Sequence, residues 1–149
     1  MKYEVYKNLK VRNDFQVFDF ESSGKLGIVR KRVAFQTTNI PNIYNLAFGD
    51  VTLNDEIDDL SISNNGDRNK VLATVARIVE IYLAKFPHRY VYIQGSTKER
   101  TRLYRMAIGL NLEELSKKFL IYAELHNGDL APFYNNMNIN AFLIRRKKS

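Results

Sequence analysis

Cysteine is absent from the 149 residues, which excludes a disulfide framework and any thiolate metal site. Histidine is scarce. His88 stands beside Pro87 and His126 in a polar turn; both are expected at the surface, and their positions support no Ser-His-Asp arrangement. No apolar stretch approaches the ~18 residues that span a bilayer, and Met1-Lys2-Tyr3-Glu4-Val5 carries no apolar signal segment. The expectation is a cytoplasmic protein without a membrane span. Repeats, linkers and low-complexity segments are also missing, and no turn has the paired glycines of a phosphate loop.

Apolar material is plentiful: hydrophobic residues make up 45% of the chain, with nine Phe and nine Tyr. A chain of this length buries roughly two-thirds of its unfolded surface. We therefore expect one domain over residues 1–149, ending in a basic tail over 145–149. Net charge is +7, from 23 Lys and Arg against 16 Asp and Glu. Six of the acids lie between Asp50 and Asp67, a window without Lys or Arg, so the remainder carries 23 cations against 10 acids, or +13. Such polarity suits a nucleic acid, an anionic cofactor or a partner protein.

Strand formers dominate the first half. Asp14 to Glu21 and Lys25 to Gln36 flank Ser22-Ser23-Gly24 and predict a hairpin. A third run from Ile43 ends at Gly49-Asp50, and the acidic connection to Asp67 is pinned by Ile57, Leu60 and Ile62. The second half changes period. Val71, Leu72, Val75, Ile78, Val79, Tyr82, Leu83 and Phe86 recur at helical spacing, with Asp67 as the expected N-cap and Pro87 after the end. Tyr90 to Gln94 reads as a strand. Ser96, three residues before Glu99, opens a second helix with capping-box spacing, and Gly109 ends it. A helical turn over Leu112 to Leu115, a strand from Phe119 to Leu125, a turn at Asn127-Gly128 and a strand from Ile139 to Ile144 follow. The fold class is α+β: a mixed, mostly antiparallel sheet with two main helices. The third run and Tyr90 to Gln94 are expected to lie parallel, the last two strands antiparallel.

Three clusters are candidates for chemistry. Ser63-Asn64-Asn65-Gly66-Asp67-Arg68-Asn69-Lys70 is a polar turn entering a helix, where free N–H groups favour anions, although the Asp67 carboxylate competes for that position. Gly95, Ser96, Thr97, Lys98, Arg100, Arg102 and Arg105 form the densest polar cluster, also at a helix start. Lys98, Arg102 and Arg105 share one helical face, while Arg100 falls on the arc of Leu103, Tyr104 and Ala107 and so needs a carboxylate or a bound anion. The acids Asp50, Asp55, Glu56, Asp58 and Asp59 lack calcium-loop spacing, and no metal site is assigned. We expect the two helix starts to lie at one edge of the sheet and to form one polar cleft.

The strings Tyr44-Asn45-Leu46-Ala47-Phe48-Gly49-Asp50, Ser63-Asn64-Asn65-Gly66-Asp67 with Val71-Leu72-Ala73-Thr74-Val75-Ala76, and Gly95-Ser96-Thr97 with Arg100-Thr101-Arg102-Leu103-Tyr104-Arg105 resemble an uncharacterised bacterial family, a domain of unknown function. That resemblance covers nearly the whole chain and implies no activity. The order of strands, helix, strand, helix and two strands is similar, more loosely, to the N-acetyltransferase (GNAT) superfamily. It implies a pyrophosphate-holding turn at Asn64 to Lys70, an acyl-CoA cofactor and Tyr104 as the catalytic acid that protonates the leaving thiolate. Only Gly66 of the expected paired glycines is present, and the helices usual after the first strand are absent. The expected ligand is thus an anionic, phosphate-bearing nucleotide or acyl-CoA held by Asn64, Asn65, Gly66, Arg68, Lys70, Gly95, Ser96, Thr97, Arg100 and Arg102. Two other classes remain open: a basic nucleic-acid module using Lys98, Arg100, Arg102, Arg105 and Arg145 to Lys148, and a protein-interaction module of a toxin or phage-defence system docking through the acidic segment.

Overall fold

A computed structural model describes residues 3–58 and 63–148; the expected pinning residues Leu60 and Ile62, and Asp59, lie outside the described residues. Its strands form one eight-stranded sheet in the order β1-β2-β3-β4-β5-β8-β6-β7. The first four, β1 (Lys10–Arg12), β2 (Val17–Gly24), β3 (Gly27–Thr37) and β4 (Ile43–Asp50), make an antiparallel meander. Helix α1 (Arg68–Lys85) then crosses to β5 (Tyr90–Ile93), which lies parallel to β4. Helices α2 (Lys98–Leu110) and α3 (Leu112–Lys118) lead to β6 (Phe119–Glu124), β7 (Leu130–Pro132) and β8 (Ala141–Arg146). β8 inserts between β5 and β6, antiparallel to both.

This is the α+β class expected, with the predicted parallel and antiparallel pairs. Details differ for local reasons. The first hairpin turns at Lys25-Leu26 because Gly24 still pairs with Gly27, whose φ of 84° suits glycine alone. Asn127-Gly128 joins β6 not to the last strand but to β7. Gly109 lies inside α2 rather than ending it; a side chain there would begin 2.6 Å from Asn135 Oδ1, so close packing is its role. Arg145 and Arg146 of the expected tail belong to β8. Among the described residues no helix is long and apolar enough to cross a membrane.

Strand alternation decides what is buried. Phe18 and Phe20 of β2, Val33 and Phe35 of β3, Leu46 and Phe48 of β4, and Val91 and Ile93 of β5 are all buried. They meet the predicted face of α1, where Val71, Val75, Ile78, Val79, Tyr82 and Leu83 are buried as well. Each such side chain contributes on the order of 1.5–3 kcal/mol by leaving water. Tyr82 stacks on Phe35 with ring centroids 3.7 Å apart. The same alternation turns Lys31 inward beside Val33: its side chain is 1% exposed and bonds Asp50 at 2.6 Å.

Among the described residues the opposite face carries no helix. There Asp19 of β2 receives Arg32 at 2.7 and 2.9 Å and Arg12 at 3.1 Å, while Arg32 also reaches Asp55. Burial alone would raise the Asp19 pKa, but the hydrogen bonds and charge of Arg32, with Arg12 and Arg30, hold it below its ordinary 3.8. A depressed folded value means that the stabilisation is complete above 3.8 and is lost as pH falls through the folded value. Urea midpoints of wild type and Asp19→Asn are accordingly expected to differ most near neutrality and to converge in acid; a gap that persists undiminished to about pH 2 would refute the linkage.

Candidate functional site

Because β4 and β5 are parallel, α1 and α2 both start at the carboxyl end of these strands, as expected for one sheet edge. The two starts nevertheless face different surroundings. The turn before α1 packs on the tip of the β2–β3 hairpin. Asn65 is 1% exposed: its Nδ2 donates to Ser22 Oγ and the Gly27 carbonyl, its Oδ1 accepts from the Leu26 N–H, and its own carbonyl accepts from the Lys25 N–H. It is a packing residue, and every polar group of its side chain is engaged. A Cβ on Gly24 would sit 1.9 Å from the Asn65 carbonyl oxygen, so glycine there is required by this approach.

Asp67 is the N-cap residue, yet its carboxylate does not cap the helix. It accepts instead from the Tyr6 hydroxyl and, at 2.6 Å, from Ser22 Oγ. Burial, together with that bonded carboxylate, raises the Tyr6 pKa. Gly66, at φ 82°, donates its N–H to Asn64 Oδ1. Arg68 reaches Met106, and Lys70 lies 4.3 Å above the Tyr6 ring. The turn expected to hold a pyrophosphate is thus tied inward by Asn65 and Asp67, with Asn64, Gly66, Arg68 and Asn69 exposed.

The start of α2 is different. Thr97, not Ser96, is the N-cap: its side chain accepts from the Arg100 N–H, the third-residue spacing that capping requires. The Gly95 N–H donates to Thr101 Oγ1 at 3.0 Å. Arg100 is 7% exposed, and its guanidinium donates to the carbonyls of Phe48, at 2.9 Å, and Asp58. Partners from the acidic segment, as expected, therefore include the backbone carbonyl of Asp58.

These contacts sit where β4 and β5 part. The strands pair only over Ile43↔Tyr90, Tyr44↔Val91 and Asn45↔Tyr92. Beyond Asn45 they diverge around a cavity of about 660 Å³, lined by Asn45 to Phe48, Gln94, Gly95, Ser96, Arg100 and Tyr104. The Asn42 carbonyl takes the Tyr90 N–H, and the Asp50 carbonyl takes that of Asp58. Alternation therefore turns the peptide groups of Leu46 and Phe48 toward the gap as well. Tyr104 is 4% exposed on the wall.

A second cavity of about 580 Å³ adjoins the first and shares Gln94, Gly95 and Ser96 with it. Lys98, Arg102, Arg105 and His126 line it, and no carboxylate does. Arg105 donates to the Met137 carbonyl, so of the predicted solvated face only Lys98 and Arg102 are exposed. The helix dipole at the α2 start adds positive potential. Asn138 and Asn140, which close this cavity, escaped the sequence reading because they come from the loop before β8, forty residues after Gly95. Asp50 and Asp55 of the acidic group instead pair with Lys31 and Arg32, and among the described residues no three His, Asp or Glu converge as a metal site.

Residues 2–147 match the model of a family described as a family of unknown function, DUF6934. No curated protein and no solved structure matches the chain.

Proposed function

We propose that this chain, which belongs to the family of unknown function DUF6934, is a GNAT-like domain that binds an anionic ligand of the acyl-CoA or nucleotide kind where β4 and β5 part. The observation that carries this reading is the pair of adjoining cavities. One is cationic and sits at the start of α2; the other runs between two strand edges and ends at a buried tyrosine. A ligand with a phosphate-bearing head and an uncharged amide arm matches both. Its phosphates meet Lys98, Arg102 and the α2 dipole, and its arm meets the strand-edge peptide groups of Leu46 and the Phe48 N–H, as an added strand would. Arg100 holds the wall through Phe48 and Asp58. The order of strands, helices and inserted last strand supports the same reading. The phosphate end lies at α2 rather than at the Asn64 to Lys70 turn, because Asn65 and Asp67 are engaged within the fold.

Thermal melting in the presence of coenzyme A, acetyl-CoA and nucleotides tests this. A ligand at 100 times its Kd stabilises the folded state by about 2.7 kcal/mol, and one of the CoA compounds or nucleotides is expected to do so. Lys98→Ala/Arg102→Ala should lose the shift while melting like wild type without ligand, and Arg145→Ala should keep it. No shift from any of them would overturn the proposal. If acetyl transfer is observed, Tyr104→Phe assigns the tyrosine: a loss of about 100-fold or more marks a general acid, whereas a stability loss of roughly 0.5–1.5 kcal/mol with unchanged turnover marks a wall residue.

A further inference from the structure

Four cations of β1 to β3 face carboxylates: Arg12, Arg30 and Arg32 meet Asp19 or Asp55, and Lys31 meets Asp50. Arg89, Arg145, Arg146, Lys147 and Lys148 are different, since they pair with no carboxylate among the described residues. All five line one cavity of about 560 Å³ together with His88 and Tyr90, and no acid lines it. It lies at the end of the sheet remote from the α2 start, where α1 ends and β5 begins. The Lys147 N–H donates to the Lys118 carbonyl at 2.8 Å, which brings the end of α3 alongside. Arg89 is a fixed charge: it donates to the Tyr82 hydroxyl at 2.9 Å and lies 3.7 Å over the Phe86 ring.

A row of aromatic residues starts at the same place. Tyr90 is the register partner of Arg145, and one step further Tyr92 pairs with Leu143, which pairs in turn with Tyr122 of β6. Alternation puts Tyr90, Tyr92 and Tyr122 on the sheet face that no helix covers, and all three are half-buried. Tyr92 is braced by its hydroxyl, which donates to Glu124 at 3.0 Å.

We propose that this end of the sheet binds single-stranded nucleic acid, with Arg145, Lys147 and Lys148 on phosphates and the tyrosine face beneath unpaired bases. The cations run along the end of β8 and the segment after it, a layout that follows a chain of phosphates rather than converging on one small anion. A duplex keeps its base faces stacked inside and has no use for an aromatic sheet face, whereas a single strand gains about 1–3 kcal/mol per base stacked on an aromatic ring.

Fluorescence anisotropy with labelled 12-nucleotide oligo(U) and oligo(dT), and with a duplex of the same length, tests the assignment at 50 and 200 mM KCl. Three phosphate contacts predict a loss of about 20-fold in single-strand affinity across that salt range. Arg145→Ala/Lys147→Ala/Lys148→Ala should weaken binding and flatten the log–log salt slope by about 2. Tyr90→Leu should weaken binding about tenfold or more without changing the slope. Arg102→Ala, in the other site, should bind like wild type, so failure here and failure of the acyl-CoA reading are told apart. Should the triple variant melt early, Lys147→Ala/Lys148→Ala, both exposed, serves instead. Absent binding at 50 mM salt, wild-type binding by the cation variants, unchanged binding by Tyr90→Leu, or a preference for the duplex would each overturn the proposal.

Discussion

Gly95→Ala is expected to lower the urea midpoint sharply and to abolish ligand binding at the α2 start. A Cβ at this position would stand 2.2 Å from the Thr101 nitrogen and 2.6 Å from the Arg100 carbonyl carbon. Both are backbone atoms of the first turn of α2, so no side chain can swing aside. Relief requires the turn to move away from β5, which would pull Arg100 from the Phe48 carbonyl and open the wall between the strands. Overpacking of this kind costs about 3 kcal/mol or more when backbone must shift. Gly128→Ala is the informative control. Its φ of 89° is unfavourable for alanine, but nothing lies within 4 Å, so only the conformational cost of roughly 1–2 kcal/mol applies. Equal stability of Gly95→Ala and wild type would refute the close-packing account.

Asp50→Ala should be comparably damaging for an electrostatic reason. Lys31 Nζ is held by Asp50 Oδ1 and by the Ser63 carbonyl at 2.9 Å, and Asp50 Oδ2 accepts the Ser63 N–H at 2.8 Å. One carboxylate thus neutralises a buried ammonium and fastens the chain returning toward α1. Removing it leaves an uncompensated buried charge, which costs about 3–5 kcal/mol. Replacing both partners, as in Lys31→Met/Asp50→Leu, removes the charge as well and is expected to recover most of that loss. Chemical denaturation of the single and double variants decides the matter; a double variant as unstable as Asp50→Ala would show that the Ser63 contacts, not the buried ammonium, set the cost.

Much of the fold was legible because it follows from period. The apolar stripe of α1 and the alternation of β2 and β3 are local patterns that burial then confirmed. β1 escaped because Lys10-Val11-Arg12 is too short, at three residues, for its alternation to stand out, and β7 because Leu130-Ala131-Pro132 carries a proline that only an edge strand tolerates. The insertion of β8 between β5 and β6 leaves no trace in either strand. In the candidate site, the α2 start was marked by its density of cations and hydroxyls. Asn65 read as a ligand residue because its real partners, Ser22, Leu26 and Gly27, stand some forty residues earlier. Lys31 offered a signal that went unused: it occupies a core-facing step of β3, two residues before Val33, and a lysine there requires a carboxylate across the ladder.

The strand order also has a consequence during synthesis. β1 to β4 zip together through short turns and are complete once residue 50 has emerged. The other half cannot close in sequence, because β5 and β6 are never neighbours: both wait for β8, whose Phe142 and Ile144 pair with each of them. Until residues 141–146 leave the ribosome, β5 presents an unfilled edge and the β6–β7 hairpin has nothing to join. The nascent chain therefore holds a finished meander beside an unfinished sheet, and its period of greatest exposure to wrong pairing ends only with its last strand.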